Sequence, residues 1–140
     1  MSNIAIVLIK PDAYERNLHG EILRRLEENG LKVVARKIVL LDEEIIREYQ
    51  PILNEPSEFG EGWKSEAIEA LSRCPVEVLV VKGEGALAKT YLLKKQIRSE
   101  YCHGPDYRSR VIFNLIHTAD DHLELKKNIE VLIPEANNLL

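Results

Sequence analysis

Asn3–Ile9 reads NIAIVLI, a short run almost free of polar side chains and rich in β-branched ones. Side chains alternate across a strand, so a run apolar at nearly every position needs burial on both faces. The stretch therefore predicts a central strand. Lys10-Pro11-Asp12 ends it, because proline cannot donate to a strand ladder. Three further runs have the same character: Leu31–Leu41 (LKVVARKIVLL), Val76–Val81 (VEVLVV) and Val111–Ile116 (VIFNLI).

Between these runs the apolar period lengthens to that of a helix. Ile22, Leu23 and Leu26 share one face of a helix expected from His19 to Asn29, with Gly30 as its stop. Asp42 is placed to cap a helix through Tyr49 or Gln50. Helices are also expected over Trp63–Ser72, Ala86–Ile97 and Asp121–Ile129, the last capped by Asp120. Pro51–Gly62 reads as irregular, and residues 99–110 read as a loop around Gly104-Pro105. The order predicts an α+β fold, the ferredoxin-like βαββαβ sandwich: a four-stranded antiparallel sheet with helices on one face and added helices before the third strand. A doubly wound parallel sheet is the competing arrangement. Only four strands, and a second strand running directly into the next helix, count against it.

At 140 residues the chain is expected to form a single domain, 1–140, with a core sufficient to dispense with disulfides. A net charge of −4 argues against a nucleic-acid coat protein, and no apolar run approaches the roughly 20 residues of a membrane span. Neither nucleic acid nor membrane is expected as a partner. The opening MSNIAIVLIKPDAYER lacks the basic start and small-residue site of a signal peptide, and Cys74 and Cys102 stand alone without metal-ligand spacing. A cytoplasmic location is the resulting expectation.

Two segments could carry phosphate chemistry. Residues 83–90, GEGALAKT, follow a strand, open a helix and match the phosphate loop G-x-x-x-x-G-K-[ST], except that Ala88 replaces its second glycine. That glycine lets the backbone approach phosphates without a Cβ in the way, and no later strand ends in the aspartate such a fold uses for magnesium. The segment is better read as a strand end and an ordinary helix start. The other candidates stand at strand ends: Lys10 after the first strand, and Asn114 and His117 at the end of the fourth. An imidazole is nucleophilic near neutral pH, and a lysine offers a fixed cation where charge gathers on transferring oxygens.

These residues carry a family resemblance. The N-terminal IVLIKPDAYERNLHGEILRRLEENGLKVVARKIVLL, the central CPVEVLVVKGEGALAK and the late NLIHTADD together resemble the nucleoside diphosphate kinases, over about residues 3 to 130. The resemblance implies ping-pong transfer of the γ-phosphate from a nucleoside triphosphate to a nucleoside diphosphate. It implies His117 as the phosphate carrier and Lys10 as the residue reaching phosphate and sugar. It further implies Asn114 on the ribose, Tyr49 packed by the histidine, Phe59 stacked on the base and Arg98 on the phosphates. Magnesium (Mg2+) would come with the nucleotide, and no protein metal site is implied. The family assembles through a sheet edge, so a homo-oligomer is expected.

Three positions and one loop depart from the family pattern. Ala119 replaces a serine near the phosphate, Asn128 replaces the glutamate that orients the histidine, and Tyr91 replaces a phosphate-binding arginine. The loop before Arg98 is shortened. In exchange, the segment after it holds His103, Arg108 and Arg110, and an arginine from this pair, Arg110 in the site as expected here, is set to replace the lost guanidinium. The alternatives are a weak or inactive nucleotide-binding relative, or a ferredoxin-like regulatory module that binds another ligand.

Overall fold

The computed structural model describes residues 3–55, 61–102, 112 and 114–140, without the side chains of Ile52 and Glu61. Strand β1 (Ile4–Ile9) is interior to a four-stranded sheet of order β2-β3-β1-β4, formed with β2 (Lys32–Val39), β3 (Val76–Lys82) and β4 (Ile116–Thr118). Every pairing is antiparallel, with Ile4 opposite Lys82, Ile9 opposite Glu77, and Leu8 opposite His117. The four-stranded antiparallel sheet expected from the element order is the one observed, with helices on both of its faces.

Alternation along β1 divides the core in two. Ala5, Val7 and Ile9 pack with Ile22 and Leu26 of α2 (His19–Glu28) and with Leu93 and Ile97 of α5 (Ala86–Tyr101). These are the two helices of the basic βαββαβ scheme. Ile4, Ile6 and Leu8 point the other way, into the added helices α3 (Glu43–Tyr49), α4 (Glu61–Ser72) and α6 (His122–Leu132). All six β1 residues are buried, as a run without polar positions requires. Trp63 lies in this second core.

Four local expectations change. A short helix, α1 (Pro11–Glu15), starts where the sequence suggested only a strand end: Lys10 is its N-cap in extended conformation, and Pro11 at the first helical position supplies a fixed φ and lacks only an N–H that would be unpaired there anyway. Helix α5 runs four residues beyond Ile97, so Arg98 lies on a helix. Within the described part of the expected strand Val111–Ile116, which leaves out Val111 and Phe113, β4 begins only at Ile116, because Leu115 takes φ +70° and gives its N–H to the Asp12 carboxylate at 3.0 Å. Its carbonyl accepts from the Lys10 N–H, so regular pairing begins only at the next residue. Asp121, not Asp120, caps α6 by accepting from the Glu124 N–H at 2.8 Å. Asp42 caps α3 as expected, accepting from Ile45 N–H.

The near-miss phosphate loop has a steric explanation. A Cβ on Gly83 would stand 2.6 Å from the Gly30 carbonyl oxygen, and Gly85 holds φ +64° at the start of α5. Lys89 donates to the Asn29 carbonyl, and the Thr90 hydroxyl turns back to the Ala86 carbonyl. Gly83 thus serves a tight crossing between β3 and the end of α2, and Gly85 supplies the left-handed residue at the N-cap of α5.

Candidate active site

The β1–β4 register brings the chemistry together. Leu8 faces His117 across the ladder, so Lys10 leaves β1 where Asn114 and Leu115 lead into β4. Lys10 donates from Nζ to the Asn114 side-chain oxygen, and both residues are buried. A cleft of about 350 Å³ opens here, lined by Lys10, Asn114, His117, Tyr49, Gln50, Pro51, Lys94, Arg98, Asp120 and Glu124. Lys10 and His117, which sequence could not bring together, share this one cleft.

The imidazole is fixed by contacts on three sides. Its Nε2–H donates to Asn128 Oδ1 at 2.7 Å, from the α6 turn behind it. Its Nδ1 lies 3.5 Å from the Gln50 amide nitrogen, on the side of the cleft. The Tyr49 ring meets it edge to face, with centroids 5.1 Å apart. With Nε2 occupied by a donated hydrogen bond, the lone pair resides on Nδ1. Burial pushes the imidazole down to about pH 3 as its half-titration point, the Asn128 bond opposing and Lys10, Lys94 and Arg98 adding to the fall. The ring is therefore neutral and able to attack at physiological pH.

Lys10 is tuned by the same burial. Loss of solvent lowers its pKa to about 7, Arg98 and Lys94 push it further down, and Asp12 pulls it up. An ammonium so poorly solvated gains strongly from an incoming anion. Arg98 sends Nε to the Asn114 carbonyl at 3.2 Å and Nη2 to the Ile116 carbonyl at 2.6 Å. It thus locks the β4 approach while bordering the cleft. Tyr49 is almost wholly buried, and its hydroxyl finds no partner among the described residues.

Gln50, Pro51, Lys94, Asp120 and Glu124 line the cleft without having been singled out as site residues from sequence. Lys94, one α5 turn before Arg98, donates to the Asp120 carboxylate and approaches the Thr118 carbonyl at 3.4 Å. Glu124 Oε1 lies 3.7 Å from His117 Nε2, while its other oxygen accepts from Asp120 N–H. The i,i+4 spacing of Lys94 and Arg98 was a usable signal that they share a helix face. Glu124 carried none, since its approach depends on where α6 starts. At the substituted positions, Ala119 is fully buried in the core, Asn128 holds the histidine, and the Tyr91 ring stands 5.2 Å from Lys94 Nζ. Phe59, His103, Arg108 and Arg110 lie outside the described residues.

A neutral, anchored imidazole among buried cations on a ferredoxin-like sheet defines the class: a phosphotransferase-type domain. The family model for nucleoside diphosphate kinase matches residues 3–138, and the chain belongs to that family. A nucleoside diphosphate kinase of Thermobifida fusca (strain YX) is 29% identical, the match covering 93% of this chain and 96% of the relative. That of Listeria monocytogenes serotype 4b (strain CLIP80459) is 30% identical over 89% of this chain and 84% of the relative. Among solved structures, a Halobacterium salinarum nucleoside diphosphate kinase in complex with CDP superposes with TM-score 0.72 at 24% identity, covering 95% of this chain and 88% of the other. A transition-state mimic of the Borrelia burgdorferi enzyme with bound vanadate and ADP gives 0.70 at 21%, covering 93% and 86%. At these identities the two structures speak to the fold.

Proposed function

We propose that this chain moves the γ-phosphoryl group of a nucleoside triphosphate to a nucleoside diphosphate by way of His117. Nδ1 attacks the γ-phosphorus as the bond to the β–γ bridging oxygen breaks, and the nucleoside diphosphate departs. The Nε2 proton stays in place, so the phosphorylated ring carries a positive charge set against the dianionic phosphoryl group. A second nucleoside diphosphate takes the group by the reverse displacement. The observation that carries this reading is the 2.7 Å contact between His117 Nε2 and Asn128 Oδ1: an amide oxygen only accepts, so Nε2 carries the proton and the cleft-side nitrogen is left as the nucleophile.

Lys10 and Arg98 attend the phosphate oxygens, Asn114 the ribose, and Tyr49 the histidine ring. Phe59 as a base platform belongs to the same reading, carried by the family resemblance, while Arg110 as a further phosphate ligand is carried by the arginines gained after Arg98 in a chain that has Tyr91 where the family has a guanidinium. The cleft offers two lysines, a guanidinium, amides and an imidazole, with Asp120 and Glu124 also lining it. That set suits phosphates, and magnesium enters as part of the nucleotide substrate.

Assembly through β2 is supported by its place at the sheet edge and by Ile38 and Leu40, each exposed over more than half its surface. Among the described residues no helix is long and apolar enough to cross a membrane. Cys74 and Cys102, partly buried and in no disulfide with each other, support a reducing, cytoplasmic setting.

Incubation with γ-labelled ATP tests the proposal. Label should enter the protein in an acid-labile, base-stable form, be removed by CDP, and be absent from His117→Gln. A chain that binds nucleotide without taking label would be an inactive relative.

A further inference from the structure

We propose that Lys94 is a phosphate-binding cation of this cleft and that Asp120 is its resident counter-anion, released when a nucleotide's phosphates arrive. The assignment rests on the nucleotide reading of the site. The Lys94 side chain is only 8% exposed, whereas that of Asp120 is 54% exposed. The pair is thus a buried ammonium covered from the solvent side by a carboxylate.

Its location gives the pair a purpose. Lys94, Arg98 and Asp120 line the His117 cleft and also a neighbouring hollow of about 520 Å³, with Tyr91, Lys95 and Ser99 on its far side. The ion pair thus belongs to the walls of both spaces. Lys94 is near enough to both His117 and Lys10 for its charge to act on each. Carboxylate and phosphate oxygens offer an ammonium the same kind of acceptor, so one can replace the other without leaving the buried charge alone.

The substitution pattern supplies a reason. Where the resemblance places a phosphate-binding arginine, this chain has Tyr91, which offers no cation. Three residues on, across one helical turn, Lys94 stands within 5.2 Å of the Tyr91 ring centroid. The cationic function has moved along α5 toward Arg98, and the tyrosine face lies beside the displaced charge.

Calorimetric titration with Mg-ADP tests the exchange, because it reads binding whether or not phosphoryl transfer occurs. Lys94→Met should weaken ADP about 10- to 100-fold, the range for removing a charge-assisted hydrogen bond. Lys94→Arg should recover most of that loss. Asp120→Asn, at an exposed side chain that tolerates change, should tighten ADP roughly three- to tenfold by removing the competing anion. A pair that only ties α5 to the β4 exit would instead make Lys94→Met and Asp120→Asn weaken binding alike. That result, an unchanged affinity in Lys94→Met, or no ADP bound by the native chain would overturn the assignment. A chain that shows the opposed shifts yet never labels His117 would keep the Lys94 site and lose the kinase reading.

Discussion

His117 Nε2 and Asn128 Oδ1 stand 2.7 Å apart, both buried, one on β4 and the other two turns into α6. An amide oxygen accepts the ring proton and so fixes the same tautomer as a carboxylate would, but it binds that proton less strongly and offers less to a ring that becomes charged. Asn128→Ala should therefore lower kcat about 10- to 100-fold, with ADP affinity unchanged, because the buried Nε2–H loses its acceptor. A matching fall in affinity would mean that Asn128 shapes the binding site instead of the nucleophile.

Glu124 supplies the carboxylate that Asn128 lacks, 3.7 Å from the same nitrogen. Burial raises its pKa, with Asp120 and Asp121 adding to the rise while the Asp120 N–H bond and Lys94 oppose it. As an anion it favours the cationic, phosphorylated ring over the neutral one. Glu124→Gln should lower kcat several-fold and shorten the lifetime of the phosphorylated protein, measured by label remaining against time.

The depressed histidine makes stability depend on pH. In the unfolded chain an imidazole titrates near 6.5, and in the fold His117 titrates at about 3. Between those values the unfolded state holds more protons, so native stability falls as pH drops from 6.5 toward 3. Urea unfolding of the native chain and His117→Gln should give difference curves that are flat above pH 6.5 and diverge below it. Parallel curves throughout would contradict the buried, neutral imidazole.

Lys10 gives a linked prediction on binding. Its pKa of about 7 leaves it largely neutral at pH 8 in the free protein, and a phosphate beside it would favour the ammonium. ADP binding at pH 8 should take up close to one proton, seen as a dependence of calorimetric enthalpy on buffer ionisation heat. Lys10→Met should abolish the dependence.

Gly83→Ala tests the rejected phosphate loop. Its new methyl would meet the Gly30 carbonyl at 2.6 Å, which predicts a loss of about 1–3 kcal/mol in unfolding free energy. Lys89→Met, in the same segment, should leave ADP affinity within twofold of native. A large loss there would restore the loop as a nucleotide site.

Much of this architecture was legible because the local rules agree with the tertiary demand. The apolar runs at β1 and β3, Ile22 and Leu26 of the α2 face and the Asp42 cap needed no long-range information, whereas Leu23, expected on the same face, stands exposed. The misplacements have a common physical origin. VIFNLI looks like a strand, but the pairing that begins β4 depends on Asp12, a hundred residues away, taking the Leu115 N–H. Pro11 breaks a strand and starts a helix with the same fixed φ, and residue type alone does not say which. In the site, Lys10, Asn114 and His117 were visible through their motifs. Lys94 and Glu124 were not, since each gains its role from a neighbour supplied by another element.

The most direct test of the central claim is the position of the phosphate on the ring. After reaction with ATP, two-dimensional phosphorus–proton NMR of the intact protein should show phosphate on Nδ1 of His117, with the Nε2 proton retained. Phosphate on Nε2, or on a residue other than His117, would contradict the tautomer held by Asn128 and the mechanism built on it.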